Sequence, residues 1–208
     1  MKVLNVENFK QANSGNTIVL DSRMTEKFVQ GFIPGSISIE LNENFPERSA
    51  NLLAANTPVL LVTEQGKEDD TEQALIKAGF LNITGYLEGG YDHWKYAGEP
   101  SDMIIDVEAD ELMMDIPFDN NLVVLDVRNE TEYAEGHLKN AINIPLQELT
   151  DPGSMANFDD DHNIYVHSGG GSRGITAASL LKRQCFHNLR YVAGGWSSIT
   201  KQKKAEIV

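Results

Sequence analysis

A single cysteine, Cys185, leaves the 208-residue chain without a partner for an internal disulfide. This excludes the cross-linked frameworks of small secreted proteins and fits a reducing compartment. No run of 18 or more apolar residues occurs, so no stretch reads as a membrane-spanning helix. The opening MKVLNVENFK has no apolar segment followed by a small-residue cleavage site, so no secretory signal is expected and the location read from the sequence is cytoplasmic. Positive charge is scarce: 17 Lys and Arg stand against 31 Asp and Glu, a net charge of −14. That balance argues against nucleic acid and anionic membrane surfaces as partners. Five histidines (93, 137, 162, 167 and 187) are scattered, with no HxHxDH-type cluster. They read as structural or surface residues, and no metal or cofactor is expected. What is present is ordinary for a soluble globular protein, 41% hydrophobic and 23% charged, enough for one large domain or two of about a hundred residues.

An internal repeat decides between those two. TIVLDSRMTEKFVQGFIPGSISI (17–39) lies over LVVLDVRNETEYAEGHLKNAINI (122–144) at an offset of 105. Asp21 falls on Asp126, Arg23 on Arg128, Phe28 on Tyr133 and Gly31 on Gly136. PVLLV (58–62) then matches NIYVH (163–167), and GFLNITGYLEGGY (79–91) matches CFHNLRYVAGGW (185–196). Agreement in separated segments means a tandem duplication: a degenerate domain over 1–100 and a second over 103–208, with GEPSD (98–102) as the linker. The acidic excess is shared, −7 on each side of residue 102.

Each copy alternates short apolar runs with helical stretches. In the second, residues 122–127, 141–145, 163–167 and 190–194 read as strands, being β-branched and bounded by polar turns. GITAASLLKRQ (174–184) places Ile175, Ala178 and Leu181 beside Ala177 and Leu180 on one helical face. VENFK (6–10) and VEADELMMD (107–115) open the copies as short amphipathic helices. Strands separated by helices predict an α/β fold in each copy, a mainly parallel sheet with helices on both faces. Ligands then belong at the strand C-termini.

The stretch YVHSGGGSRGITAASLLKRQ ends a strand, turns through three glycines and begins a helix. Together with LDVR-x-x-x-EY-x-x-GH-x-x-x-AINIP and a late GG-aromatic, it resembles the rhodanese family of sulfurtransferases. EGGYDHWKYAGEP and the loop itself are further similar to the tandem rhodanese tails behind metallo-β-lactamase-fold persulfide dioxygenase-like proteins. The resemblance implies a protein that handles sulfane sulfur as a small anion (thiosulfate, sulfite or a persulfide), with a metallo-β-lactamase-fold or other sulfur-metabolism protein as partner. In such domains a loop cysteine accepts sulfur and passes it to a thiol or cyanide. By this resemblance Ser168 stands at the nucleophile position. Gly169, Gly170, Gly171 and Ser172 form an anion cradle that Arg173 closes, and Asp126, Arg128, Glu132 and His137 support the rim. Four residues between Ser168 and Arg173 match the six-position sulfurtransferase loop, one shorter than that of related phosphatases.

Two departures bear on turnover. Ser168 replaces the cysteine, and an oxygen at this position cannot carry a persulfide. Gly174 stands where the family has Ser or Thr. A serine-hydrolase arrangement would need a histidine base; His167 on a strand points away from residue 168, and His137 would have to be brought in by the fold. Cys185 lies about 15 Å along the helix from the loop and reads as a buried or half-buried bystander. In the first copy, Thr63 holds the nucleophile position, Glu64, Glu68, Asp69 and Asp70 crowd the loop, Lys27 replaces Glu132, and Phe32 replaces His137. Acidic groups there repel sulfur anions, and the copy reads as a structural brace. The alternatives are therefore an anion-binding domain without turnover, a sulfurtransferase active only with cysteine at 168, and a non-catalytic interaction module.

Overall fold

A computed structural model describes residues 1–159 and 161–208. The chain forms two compact units, Met1–Met103 and Ile104–Val208. In the first, β1 (Val3–Leu4), α1 (Val6–Ala12), β2 (Ile18–Asp21), α2 (Thr25–Gln30) and β3 (Ile37–Ser38) lead to α3 (Phe45–Leu52). Then follow β4 (Val59–Val62), α4 (Glu68–Lys77), β5 (Ile83–Leu87) and α5 (Gly90–Tyr96). The second runs β6 (Ile105–Val107), α6 (Ala109–Asp115), β7 (Leu122–Asp126), α7 (Glu130–Ala134) and β8 (Ile142–Asn143). After two 3₁₀ turns, Glu148–Thr150 and Pro152–Met155, come β9 (Asn163–His167), α8 (Arg173–Arg183), β10 (Leu189–Val192) and α9 (Trp196–Ile199).

The sheets share one topology, β1-β5-β4-β2-β3 and β6-β10-β9-β7-β8, with every pairing parallel. Identical strand order in two separate sheets is the structural form of the sequence repeat. The α/β fold predicted for each half is the one found. The edge strands β1 and β6 escape a reading by periodicity because they hold two and three residues, too few to show alternation.

Apolar runs supply the cores. Leu4, Phe9, Val19, Leu60, Val62 and Leu87 pack together in the first unit; Leu112, Val124, Leu138, Tyr165, Val192 and Ile199 do so in the second. Each fully buried side chain of this size stabilises its domain by about 1.5–3 kcal/mol over leaving it in water. Helix α8 is buried more completely than one amphipathic face requires, with every residue from Gly174 to Leu181 inside. It tolerates two hydroxyls there because Thr176 donates to Ser172 O and Ser179 donates to Thr176 O. Residues 98–102, read from sequence as a linker, dock on their own domain: Trp94 Nε1 donates to Pro100 O at 2.8 Å, and Phe32 and Asp102 exchange backbone bonds at 2.9 and 3.0 Å.

Cys185 requires a correction. It is exposed and has φ +70° just past the end of α8, matching Gly79 at φ +91° past α4. A helix commonly ends on a left-handed residue, which lets the backbone satisfy the last carbonyls, so the position is set by main-chain geometry and its side chain faces solvent. Among the described residues, no helix is long and apolar enough to cross a membrane.

Candidate functional site

The site in each domain is anchored by an Asp-x-Arg buckle. Asp126 ends β7 and Asp21 ends β2, so both carboxylates arrive at the C-terminal edge of their sheets. Arg128 curls back on Asp126 through Nε and Nη2, the latter at 2.6 Å. It also donates to Gly136 O at 2.8 Å and Glu132 O at 3.0 Å, tying down the end of α7. Its guanidinium stacks 4.2 Å from the centre of the Trp196 ring. Arg23 repeats this with Asp21 at 2.7 Å, Gly31 O at 2.9 Å and the Tyr91 ring at 4.4 Å. Asp126 and Arg128 are buried. They support the rim from beneath, and their charges are spent on each other before a ligand arrives.

Above the buckle, β9 delivers Ser168 and the loop. Ser168 is fully buried, and among the described residues its Oγ hydrogen-bonds only to Gly170, at a long 3.4 Å to both the amide N and the carbonyl O. Its carbonyl accepts from Trp196 N at 2.7 Å. Gly195, at φ +53°, permits this approach, because a Cβ there would strike Ser168 O. The first domain uses the same device: a Cβ on Gly90 would lie 2.9 Å from Thr63 O. The late GG-aromatic motif thus holds the loop from behind. Gly170 and Gly171 have φ +139° and +67°, a left-handed backbone that curls the loop. Among the described residues, the N–H groups of Gly169 and Gly171 donate to no protein acceptor. With the eleven-residue α8 starting at Arg173, they give the loop a positive potential.

Gly174 has a structural reason that the sequence hid. A Cβ there would collide with the Tyr191 ring, so the aromatic from β10 fills the space where a Ser or Thr side chain would otherwise lie. Ser168 Oγ would be only 3.5 Å from the same Cβ.

Neither histidine reaches Ser168 Oγ. His167 is fully buried on the other side of β9, with Nδ1 3.3 Å from Ser168 O and Nε2 3.7 Å from Asp126 Oδ2. His137 stacks on Tyr133 with ring centres 3.7 Å apart and its Nδ1 against Tyr133 O, outside the loop. A catalytic triad is absent among the described residues.

Burial lowers the His167 pKa below its ordinary 6.5, and Asp126 opposes that only in part. The folded protein therefore resists a proton that the unfolded chain accepts. Stability present above about pH 6.5 should be lost as pH falls toward the depressed folded value. Glu132 contributes in a lower window, because hydrogen bonding from Arg173 pulls its pKa beneath 4.5. Urea melts followed by the ¹⁹F signal of 5-fluorotryptophan at position 196 should show stability falling between about pH 7 and 5 in the parent and changing less in His167→Gln. An equal slope in both would refute the assignment.

Across the loop mouth, Arg173 and Glu132 form a bidentate ion pair at 2.8 and 2.9 Å. Glu132 is fixed there by a capping box with Asn129. The first domain carries the same latch with its polarity reversed: Lys27 on α2 meets Glu64 on the loop at 2.6 Å. Sequence alignment places Lys27 under Glu132, yet the partner differs, because Glu64 aligns with Gly169 and not with Arg173. Of the ten residues assigned to the site from sequence, the fold gathers nine around the loop and its floor and leaves His137 beside α7.

The Rhodanese-like domain family profile matches residues 6–97 and again 108–202. YrkF of Bacillus subtilis (strain 168), named as a putative sulfur carrier protein, is 29% identical over 167 residues, spanning 74% of this chain and 88% of that protein. A tRNA uridine(34) hydroxylase from Pectobacterium atrosepticum is 33% identical over 92 residues, covering 42% of this chain and only 26% of the hydroxylase. Among solved structures, a thiosulfate sulfurtransferase from Pseudomonas aeruginosa covers 100% of this chain and is itself covered to 43%, at 19% identity and a TM-score of 0.44.

Proposed function

Because the chain belongs to the rhodanese-like family through both of its domains, we propose that its second domain binds a small sulfur anion (thiosulfate, sulfite or a persulfide) in the 168–173 loop without turning it over. One observation carries this. The amides of Gly169 and Gly171 belong to a curled loop and donate to no described acceptor, while the residue at the base is a serine with no base in reach. Unsatisfied donors at a helix start suit an anion. A hydroxyl lacking a general base is neither a nucleophile at neutral pH nor able to hold sulfane sulfur.

Such a protein serves sulfur metabolism as an accessory that retains or presents the anion. The likeness of its loop to the tails of persulfide dioxygenase-like proteins supports a metallo-β-lactamase-fold partner. Arg173 takes part in the site as a gate, since its guanidinium is held by Glu132 and would swing to an arriving anion.

Calorimetric titration with thiosulfate, sulfite and glutathione persulfide tests the binding. One site in the second domain is expected, weakened about tenfold by Arg173→Ala, the worth of one charge-assisted hydrogen bond. No heat at millimolar ligand would remove the anion role and leave an interaction module.

A further inference from the structure

The first domain has a cleft of its own, with a volume of about 480 Å³. Its walls come from the loop after β4, the end of α2 and the first turns of α5. That volume lies in the range of small-molecule sites, roughly 300–1,000 Å³, and far exceeds what a sulfur oxyanion needs.

The charges lining it follow a definite pattern. Arg23 is consumed by Asp21 and Gly31 O. Lys27 holds one oxygen of Glu64, Oε2, at 2.6 Å. The other, Oε1, is shielded from water and accepts no hydrogen bond. On α5, Asp92 and Lys95 both line the cleft, and although three residues apart on one helix they are not paired with each other or with any described charged group. The loop amides of Gln65 and Gly66 donate to no described acceptor.

A pure anion would face Glu64 and Asp92, and a pure cation would face Lys27 and Lys95. A ligand carrying both signs meets a partner for each charge on the cleft wall, where a ligand of one sign meets like charge. We propose that this cleft binds a small zwitterion of the amino-acid or short-peptide class, its ammonium at Glu64 and Asp92 and its carboxylate at Lys95 and the loop amides. The first domain is then a second ligand-binding unit of different chemistry, where its acidic loop suggests only a brace.

Triglycine is a suitable probe, with its N-acetyl form (no ammonium) and its C-terminal amide (no carboxylate) as controls. Each is titrated into the full ¹⁵N-labelled chain. Triglycine should shift the amides of Gly66, Gly89 and Gly90, and each blocked form should bind at least about tenfold more weakly, the worth of one charged hydrogen bond. Glu64→Gln and Lys95→Gln should each weaken triglycine by about the same factor. Lys95 has no ion-pair partner among the described residues, so its variant keeps the test valid even if loss of the Lys27 pair disturbs the loop. The proposal fails if the blocked forms bind as well as triglycine. It also fails if thiosulfate moves the same amides, or if about 10 mM triglycine shifts none of them. Thiosulfate shifts at Gly169 to Arg173 are read in the same spectra, so this outcome and that of the sulfur-anion site are separate.

Discussion

A Ser168→Cys variant should transfer sulfur from thiosulfate to cyanide at a rate at least about 100-fold above the parent, for which no thiocyanate above background is expected. The scaffold already supplies what a thiolate needs. Gly169 and Gly171 offer unpartnered N–H groups, α8 begins five residues after the nucleophile position, and both favour the anionic form. In the first half-reaction the introduced thiolate attacks the outer sulfur of thiosulfate; a new S–S bond forms and sulfite departs with the electron pair of the old one. Cyanide then takes the outer sulfur, thiocyanate leaves and the thiolate returns. A Thr63→Cys variant is the control and should gain nothing, because Glu68 stands at the aligned position of Arg173, so a carboxylate replaces the cation that closes the other loop. A folded Ser168→Cys protein without activity would show that the loop, and not only the missing sulfur atom, prevents turnover. Thiocyanate produced by the parent would overturn the view of Ser168 as inert.

The position of the loop serine is legible from sequence because the repeat aligns two loops against each other and the resemblance locates the loop. The parallel sheets are equally legible: β-branched runs such as VLLV and NIYVH have room only in a sheet covered on both sides. What sequence conceals depends on contacts between segments distant along the chain. Gly174 reads as a lost helix-starting hydroxyl until Tyr191, on a different strand, is seen in its place. Cys185 reads as a buried or half-buried bystander; its alignment with Gly79 is the signal that main-chain conformation sets the position and leaves the side chain exposed. The acids around Thr63 suggest simple repulsion, and only the fold shows Glu64 bound to Lys27 as the reversed image of the Arg173–Glu132 latch. Pairing of side chains across a cleft leaves no periodicity to read. Asp126 and Arg128 are the sharpest case. Their spacing marks a motif, but it does not reveal that they turn inward.

That inward turn sets the second large effect. Arg128→Ala should destabilise the second domain by about 3–5 kcal/mol, the usual result of stranding one member of a buried pair. Asp126 is wholly inaccessible and would keep a carboxylate whose nearest possible counter-ion is the buried His167, 3.7 Å away. Gly136 O and Glu132 O would lose their donor, and the Trp196 ring its cation. Protonating Asp126 would relieve only the first of these. An Asp126→Leu/Arg128→Met double variant removes both charges at once and should recover part of the loss, because neither desolvated ion remains. Recovery stays incomplete, since the two carbonyls at the end of α7 are still without partners. The chain's two tryptophans make the measurement clean: Trp94 sits in the first domain and Trp196 in the second. Labelled with 5-fluorotryptophan, they give separate ¹⁹F signals through a urea titration, so the domains need not be treated as one two-state unit. The Trp196 transition should move to lower urea in Arg128→Ala, and Arg23→Ala should act in the same sense on Trp94, whose domain holds the matching buckle. If Arg128→Ala shifts the Trp196 transition by less than about 1 kcal/mol, water or a relaxed backbone compensates Asp126 and the buckle is not the keystone of the domain.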